Sequence, residues 1–237
     1  GATLDGPASA IAVVTGFVAA QLDNTELDDG SFSDPRFQFS GLYSTDDVLQ
    51  VVDKRFRQHD GYYHWAFTRL ALFEYEEAFR GNGASPVKMP WEQVSFDETV
   101  EHIYPQNPSG TGLAYWSEHV PMDGRSNRNG KLGDALKNAL GNLLLLSRGD
   151  NSSASNHAYT DKLPLFRNNT YSSTEVAQHF DHWNALTIAV RSVAMLRFIE
   201  RRWGIELSAT PADLGSYLPL CFGSQHEAVV SGKAGRK

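Results

Sequence analysis

Residues 140–146 read Leu140-Gly141-Asn142-Leu143-Leu144-Leu145-Leu146. The apolar run is too short for a helix that is stable alone, and turn-forming residues bound it, so it predicts a buried strand. An asparagine inside such a run is unusual. A buried amide must find hydrogen-bond partners, so Asn142 is expected to pin a loop; the plainer alternative is a turn at the start of the strand. Upstream, Val94, Phe96, Thr99, Val100 and Ile103 predict short strands within 91–106, the second one stopped by Pro105. A long polar loop is expected from Asn107 to about Gly130, then a short helix over Asp134–Ala139. Downstream, Gly149-Asp150-Asn151-Ser152-Ser153 is suited to capping a short helix. The centre of the chain therefore reads as a small strand–loop–strand–helix unit.

Helical patterns flank this unit. Residues 8–22 and 44–58 read as helices, the second opened by Ser44 as N-cap. Residues 62–80 follow, with Tyr62, Tyr63, Trp65, Phe67, Phe73, Tyr75 and Phe79 at spacings that mark a core face. Gly81, Gly83 and Pro86 end that helix. The longest predicted helix spans 174–203, capped by Thr174, with Val176, Phe180, Trp183, Leu186, Val190 and Val193 at helical spacing. Thr210–Phe222 is expected to form a shorter helix and the tail from Gly223 to be mobile. The fold class is α+β, mainly helical, in three regions: 1–90, 91–170 and 171–237.

Composition bounds the function. The chain has 237 residues, 41% hydrophobic and 21% charged, enough for one large or two small globular domains. The single cysteine, Cys221, excludes an internal disulfide and a cysteine-rich zinc site, and favours a reducing, cytoplasmic setting. The apolar stretch Ile11–Ala20 is short and has no basic residue before it. It reads as a buried helix and not as a signal peptide or membrane span. The chain starts with Gly1 in place of Met, which points to an excised part of a longer protein. Residues 23–34 lack the acidic spacing of a calcium-binding EF-hand loop. Lys plus Arg is 21 and Asp plus Glu is 28, a net charge of −7. That balance opposes a general, charge-driven nucleic-acid binder. It leaves room for a nuclease, which needs only a local basic surface and often a metal.

Three polar islands carry the candidate chemistry: Glu101-His102-Ile103-Tyr104-Pro105-Gln106, Gly141-Asn142-Leu143, and Asp150 to His157. Each has an ordinary reading alone: a surface histidine, a turn, a helix cap. A histidine beside a carboxylate at a strand end also suits a general base near neutral pH. Asn and Asp side chains also suit a hard cation.

In order along the chain, the islands resemble the ββα-metal (His-Asn-His, HNH) nuclease motif. They are more closely similar to the C-terminal nuclease domain of GmrSD-type modification-dependent restriction endonucleases. The residues that carry the resemblance are 101–106, 140–146, and Asn151, Ser152, Ser155, Asn156, Tyr159 and Lys162, with Trp183, Ile188, Arg191 and Trp203 trailing.

The resemblance implies an HNH-type, metal-dependent DNA endonuclease or nickase built around 91–170, with residues 1–90 and 171–237 as helical surroundings. It implies His102 as general base, Glu101 and Asn151 as metal ligands, and Asn142 as holder of the loop that carries the base. Lys162 is expected to contact the scissile phosphate or the leaving group. One carboxylate and one amide oxygen suffice for Mg²⁺ or Mn²⁺, which keep several waters. Arg125, Arg128, Lys131 and Arg148 are candidates for holding the DNA backbone. The resemblance also implies a prokaryotic restriction or phage-defence system and a separate N-terminal nucleotide-hydrolysing sensor domain. No Gly-x-x-x-x-Gly-Lys-[Ser/Thr] loop occurs in this chain. Two rivals remain: an idle DNA- or partner-binding module of the same fold, and an RNase or toxin-type nuclease.

Overall fold

The computed structural model describes residues 61–65, 67–80, 88–95, 98–120, 131–208 and 210–230. The helices expected at 8–22 and 44–58, Gly81–Pro86, and the basic residues Arg125 and Arg128 lie outside them. At the centre is a two-stranded antiparallel sheet of β1 (Val100–His102) and β2 (Leu143–Leu145), with His102 opposite Leu143 and Glu101 opposite Leu144. Among the described residues of 91–106 a single strand forms where two were expected, and Trp91–Gln93 closes into a 3-10 turn. Likewise Leu140–Asn142 is a 3-10 turn, and the extended part of the apolar run begins at Leu143.

Leu143, Leu144, Leu145 and Leu146 are all fully buried. β2 packs between its strand partner and two helices, α1 (Thr68–Ala78) and α6 (Tyr171–His179). A strand covered on both faces has no reason to alternate, which explains four leucines in a row. Thr170, the N-cap of α6, donates its hydroxyl to the Leu145 carbonyl at 2.6 Å. The Glu76 carboxylate of α1 accepts from the backbone N–H groups of Tyr171 and Ser172 at the start of α6. Charge at a helix N-terminus is stabilising, and here it also joins two elements.

The polar stretch after Asn107 is not one loop. It contains α2 (Gly110–His119), followed by α3 (Lys131–Lys137). Gly112, which mimics a loop residue, serves close packing: a Cβ there would stand 2.4 Å from the Asn156 carbonyl oxygen. Trp116, fully buried, donates Nε1–H to the His157 carbonyl at 2.9 Å. The expected helix over Asp134–Ala139 is displaced toward the N-terminus.

After β2 come α4 (Arg148–Ala154) and α5 (Tyr159–Arg167). Ser147 caps α4, so Gly149–Ser153 lie inside the helix and not in its cap. Strand, strand and α4 form a ββα unit.

The single helix expected over 174–203 is two. α6 starts at a Thr170 cap and stops at Phe180; α7 (Ala185–Trp203) starts at Asn184. Asn184 and Thr187 form a capping box, a local signal that outweighs the apolar periodicity crossing it. The break turns Trp183 into the core, where it is fully buried.

A 3-10 turn at Leu214–Tyr217 leads into α8 (Leu218–Phe222), and α9 (His226–Val230) follows, so residues 223–230 of the tail expected to be mobile are helical, and 231–237 lie outside the described residues. One apolar cluster runs from Tyr62 to Phe222 and takes in the ββα unit, α1, α2 and α7. Cys221 is buried in it. No described helix is long and apolar enough to cross a membrane.

Candidate active site

The ββα unit has a cleft of about 280 Å³ at the open end of β1. Glu101, His102, Gln106 and Asn107 line one side, Asn151, Ser155 and Asn156 the other, with Tyr63 at the edge. The structure thus brings Glu101, His102 and Asn151 to one place. Asn142 lies behind it, fully buried.

Asn142 makes four hydrogen bonds with its side chain. Its Nδ2 donates to the carbonyls of Tyr104 (2.9 Å) and Lys137 (2.8 Å). Its Oδ1 accepts from Tyr104 N–H (2.8 Å) and Trp183 Nε1–H (3.0 Å). Both donors and both lone-pair directions are used. Together with the backbone bond from Ile103 N–H to the Asn142 carbonyl at 3.0 Å, this clamps the chain just after His102.

Helix α7 clamps the clamp. Arg191 Nη1 donates to the carbonyls of Gly141 (2.7 Å) and Leu143 (2.6 Å), and Ser192 Oγ accepts from Gly141 N–H at 2.9 Å.

His102 is itself nearly buried, 7% exposed. Its ring packs on Tyr63 with centroids 4.3 Å apart. The Asn138 side chain hydrogen-bonds one side of the imidazole, and Gln106 Nε2 lies 3.4 Å from Nε2. Burial holds the imidazole pKa down to about 3, with the charges of Lys162, Lys137 and His64 pushing the same way and Asn138 opposing. The ring is therefore neutral at pH 7, with one nitrogen able to accept a proton.

Glu101 is 5% exposed, and its Oε1 accepts from Lys162 Nζ at 2.6 Å. Burial raises the carboxyl pKa and the Lys162 ammonium opposes that rise. Lys162 is fully buried, and its other contacts are the carbonyls of His102 (3.0 Å) and Ile103 (3.1 Å). An ammonium has three donors, and all three are committed. The expected contact to a phosphate is not what this geometry offers: Lys162 is sealed beneath the cleft.

Asn151 faces the cleft from α4, and among the described residues its side-chain amide makes no hydrogen bond. Ser155 ends α4 with φ 40°, a left-handed value unusual for a non-glycine, and such strain is common at functional sites. Arg148, at the start of α4, is exposed and ion-paired with Glu98. Lys131 begins α3, and its side chain lies outside the described residues, as do Arg125 and Arg128.

The donor set of the cleft is one carboxylate, one imidazole, amide oxygens and the hydroxyls of Ser155 and Tyr63. Among the described residues, no three of His, Cys, Asp and Glu gather into a metal-binding group. A closed zinc cage is thus not formed by them. A hard, largely hydrated cation fits this chemistry.

Sequence reasoning missed Asn138, Tyr63 and the coupling role of Arg191. Asn138 sits in an ordinary polar helix end and Tyr63 in an aromatic run, with no local signal that either faces His102.

The fold is thus an α+β domain with a polar cleft at the strand-end histidine of its ββα unit. The family model of the GmrSD restriction endonucleases' C-terminal domain matches residues 46–198, and the chain belongs to this family. No curated protein and no solved structure matches the chain.

Proposed function

We propose that this chain is the cleaving domain of a restriction system, an HNH-type endonuclease that hydrolyses or nicks the DNA backbone with Mg²⁺ or Mn²⁺. The observation that carries the reading is the convergence of His102, Glu101 and Asn151, distant in sequence, on one polar cleft. Family membership supplies the nuclease class.

His102 takes a proton from the attacking water, whose oxygen then attacks phosphorus in line with the leaving oxygen. A bound phosphodiester anion would raise the imidazole pKa from its depressed value and strengthen it as a base. Asn142 acts through backbone, holding the Ile103–Tyr104 turn so that the imidazole cannot drift. Glu101 and Asn151 would hold the cation, with the neutral amides of the cleft rim orienting its waters. Bound there, a divalent cation supplies charge stabilisation for the phosphate and the leaving oxygen. No base-reading element is evident among the described residues, so recognition rests on the backbone. A covalently linked N-terminal nucleotide-hydrolysing domain would select the target DNA, and the work belongs to the cytoplasm.

The test is plasmid nicking by the purified chain with Mg²⁺, with Mn²⁺ and with chelator, beside linear DNA and RNA. Metal-dependent loss of supercoiled DNA supports the reading. Cleavage confined to RNA makes it an RNase, and no cleavage of any substrate makes it a binding module.

A further inference from the structure

Lys162 stands on α5, and α5 packs against α4, the helix that carries Asn151. From there its side chain crosses to β1 and bonds Glu101 Oε1, the His102 carbonyl and the Ile103 carbonyl. The lysine is the polar tie between the two walls of the cleft. A buried carboxylate or a buried ammonium alone would be costly, and removing one leaves the other unpaired.

The pair is also geometrically specific. Two of the three donors go to main-chain oxygens on either side of the point where β1 ends. Moving the ammonium would therefore move the Glu101 carboxylate and the His102 backbone together.

We propose that Lys162 is a positioning residue. It aims Glu101 at the cleft, fixes the spacing of β1 and the α4–α5 pair, and thereby sets the affinity of the cleft for a divalent cation; it does not touch DNA. The inference rests on the nuclease reading for the purpose of the cation, but its first test needs no catalysis.

Mn²⁺ binding to the DNA-free full chain is followed by the electron paramagnetic resonance signal of free Mn²⁺. The wild type, Lys162→Met and Glu101→Gln are compared. Residues that orient a metal ligand typically change affinity by about 10–100-fold, and Lys162→Met should weaken Mn²⁺ binding by about that factor. The half-saturating Mg²⁺ for nicking should rise in parallel. Binding to duplex DNA in chelator should keep its salt dependence.

If Lys162→Met does not fold, Lys162→Gln carries the same readouts: its amide keeps a polar donor on the side chain while removing the charge that faces Glu101. Mn²⁺ affinity within about twofold of wild type, or a salt slope that drops by about one, the mark of a lost phosphate contact, overturns the proposal. A wild type that binds Mn²⁺ without nicking sinks the nuclease reading and leaves the lysine tested. A wild type that does not bind Mn²⁺ overturns both.

Discussion

His102 carries more structure than its place at a strand end implies. The sequence alone makes it a lightly packed, exposed side chain, but the fold buries it against Tyr63. His102→Ala should lower nicking by about 10²–10⁴-fold, the usual cost of a lost general base. It should also lower the melting temperature, since the ring leaves a void. Normal cleavage by a folded variant would remove His102 from the mechanism. The two asparagines divide differently. Asn142→Ala strands four partners, three of them buried, and each buried unsatisfied group costs about 1–3 kcal/mol, so the variant should be severely destabilised. Asn151→Ala, whose amide is uncommitted among the described residues, should melt within about 0.5 kcal/mol of wild type and need more Mg²⁺ for half-maximal nicking. Paired melts and Mg²⁺ titrations check this; equal melting losses would refute the division.

Two glycines make the corresponding point for the elements. Gly141 lies in the 3-10 turn pressed against α7, where an added Cβ would stand 2.4 Å from both the Ile188 carbonyl oxygen and the Ser192 nitrogen. Those are backbone atoms of a 19-residue helix that cannot shift alone. Gly141→Ala should therefore cost about 1–3 kcal/mol or more and reduce activity through Asn142. Gly149, inside α4, has nothing within 4 Å of where a Cβ would stand. Gly149→Ala should leave stability unchanged or raise it by up to about 1 kcal/mol, the helix preference of alanine. Denaturant melts of the two variants decide it, and a Gly141→Ala protein as stable as wild type would contradict the packing. The break between α6 and α7 belongs to this scale too. Apolar spacing runs through it unbroken, and only the Asn184–Thr187 box marks the new start.

The whole molecule carries seven more acidic than basic charges. Lys162 is sealed inside and Arg148 is paired with Glu98. Few cations are left at the described cleft to neutralise phosphates. A protein holding six phosphates loses affinity with a logarithmic salt slope of roughly −5. This chain alone should show a clearly shallower slope in duplex binding measured across a salt series. A slope of −5 or steeper would mean that a basic surface elsewhere on the chain dominates binding.

Local sequence was enough to mark the α+β class, the buried leucine strand, the strand-end Glu101-His102 pair and an Asn142 that must be satisfied. Each follows from short-range chemistry: apolar runs bury, a strand cannot continue through a proline, and a buried amide seeks partners. The cleft itself came only from tertiary structure. Which groups meet across more than 40 residues depends on how α5 and α7 pack on the sheet. Burial then decided the rest. It turned Lys162 from a presumed phosphate contact into an internal tie, brought Asn138 and Tyr63 to His102, and set the imidazole neutral, because the cost of burying charge exists only once the surroundings have closed.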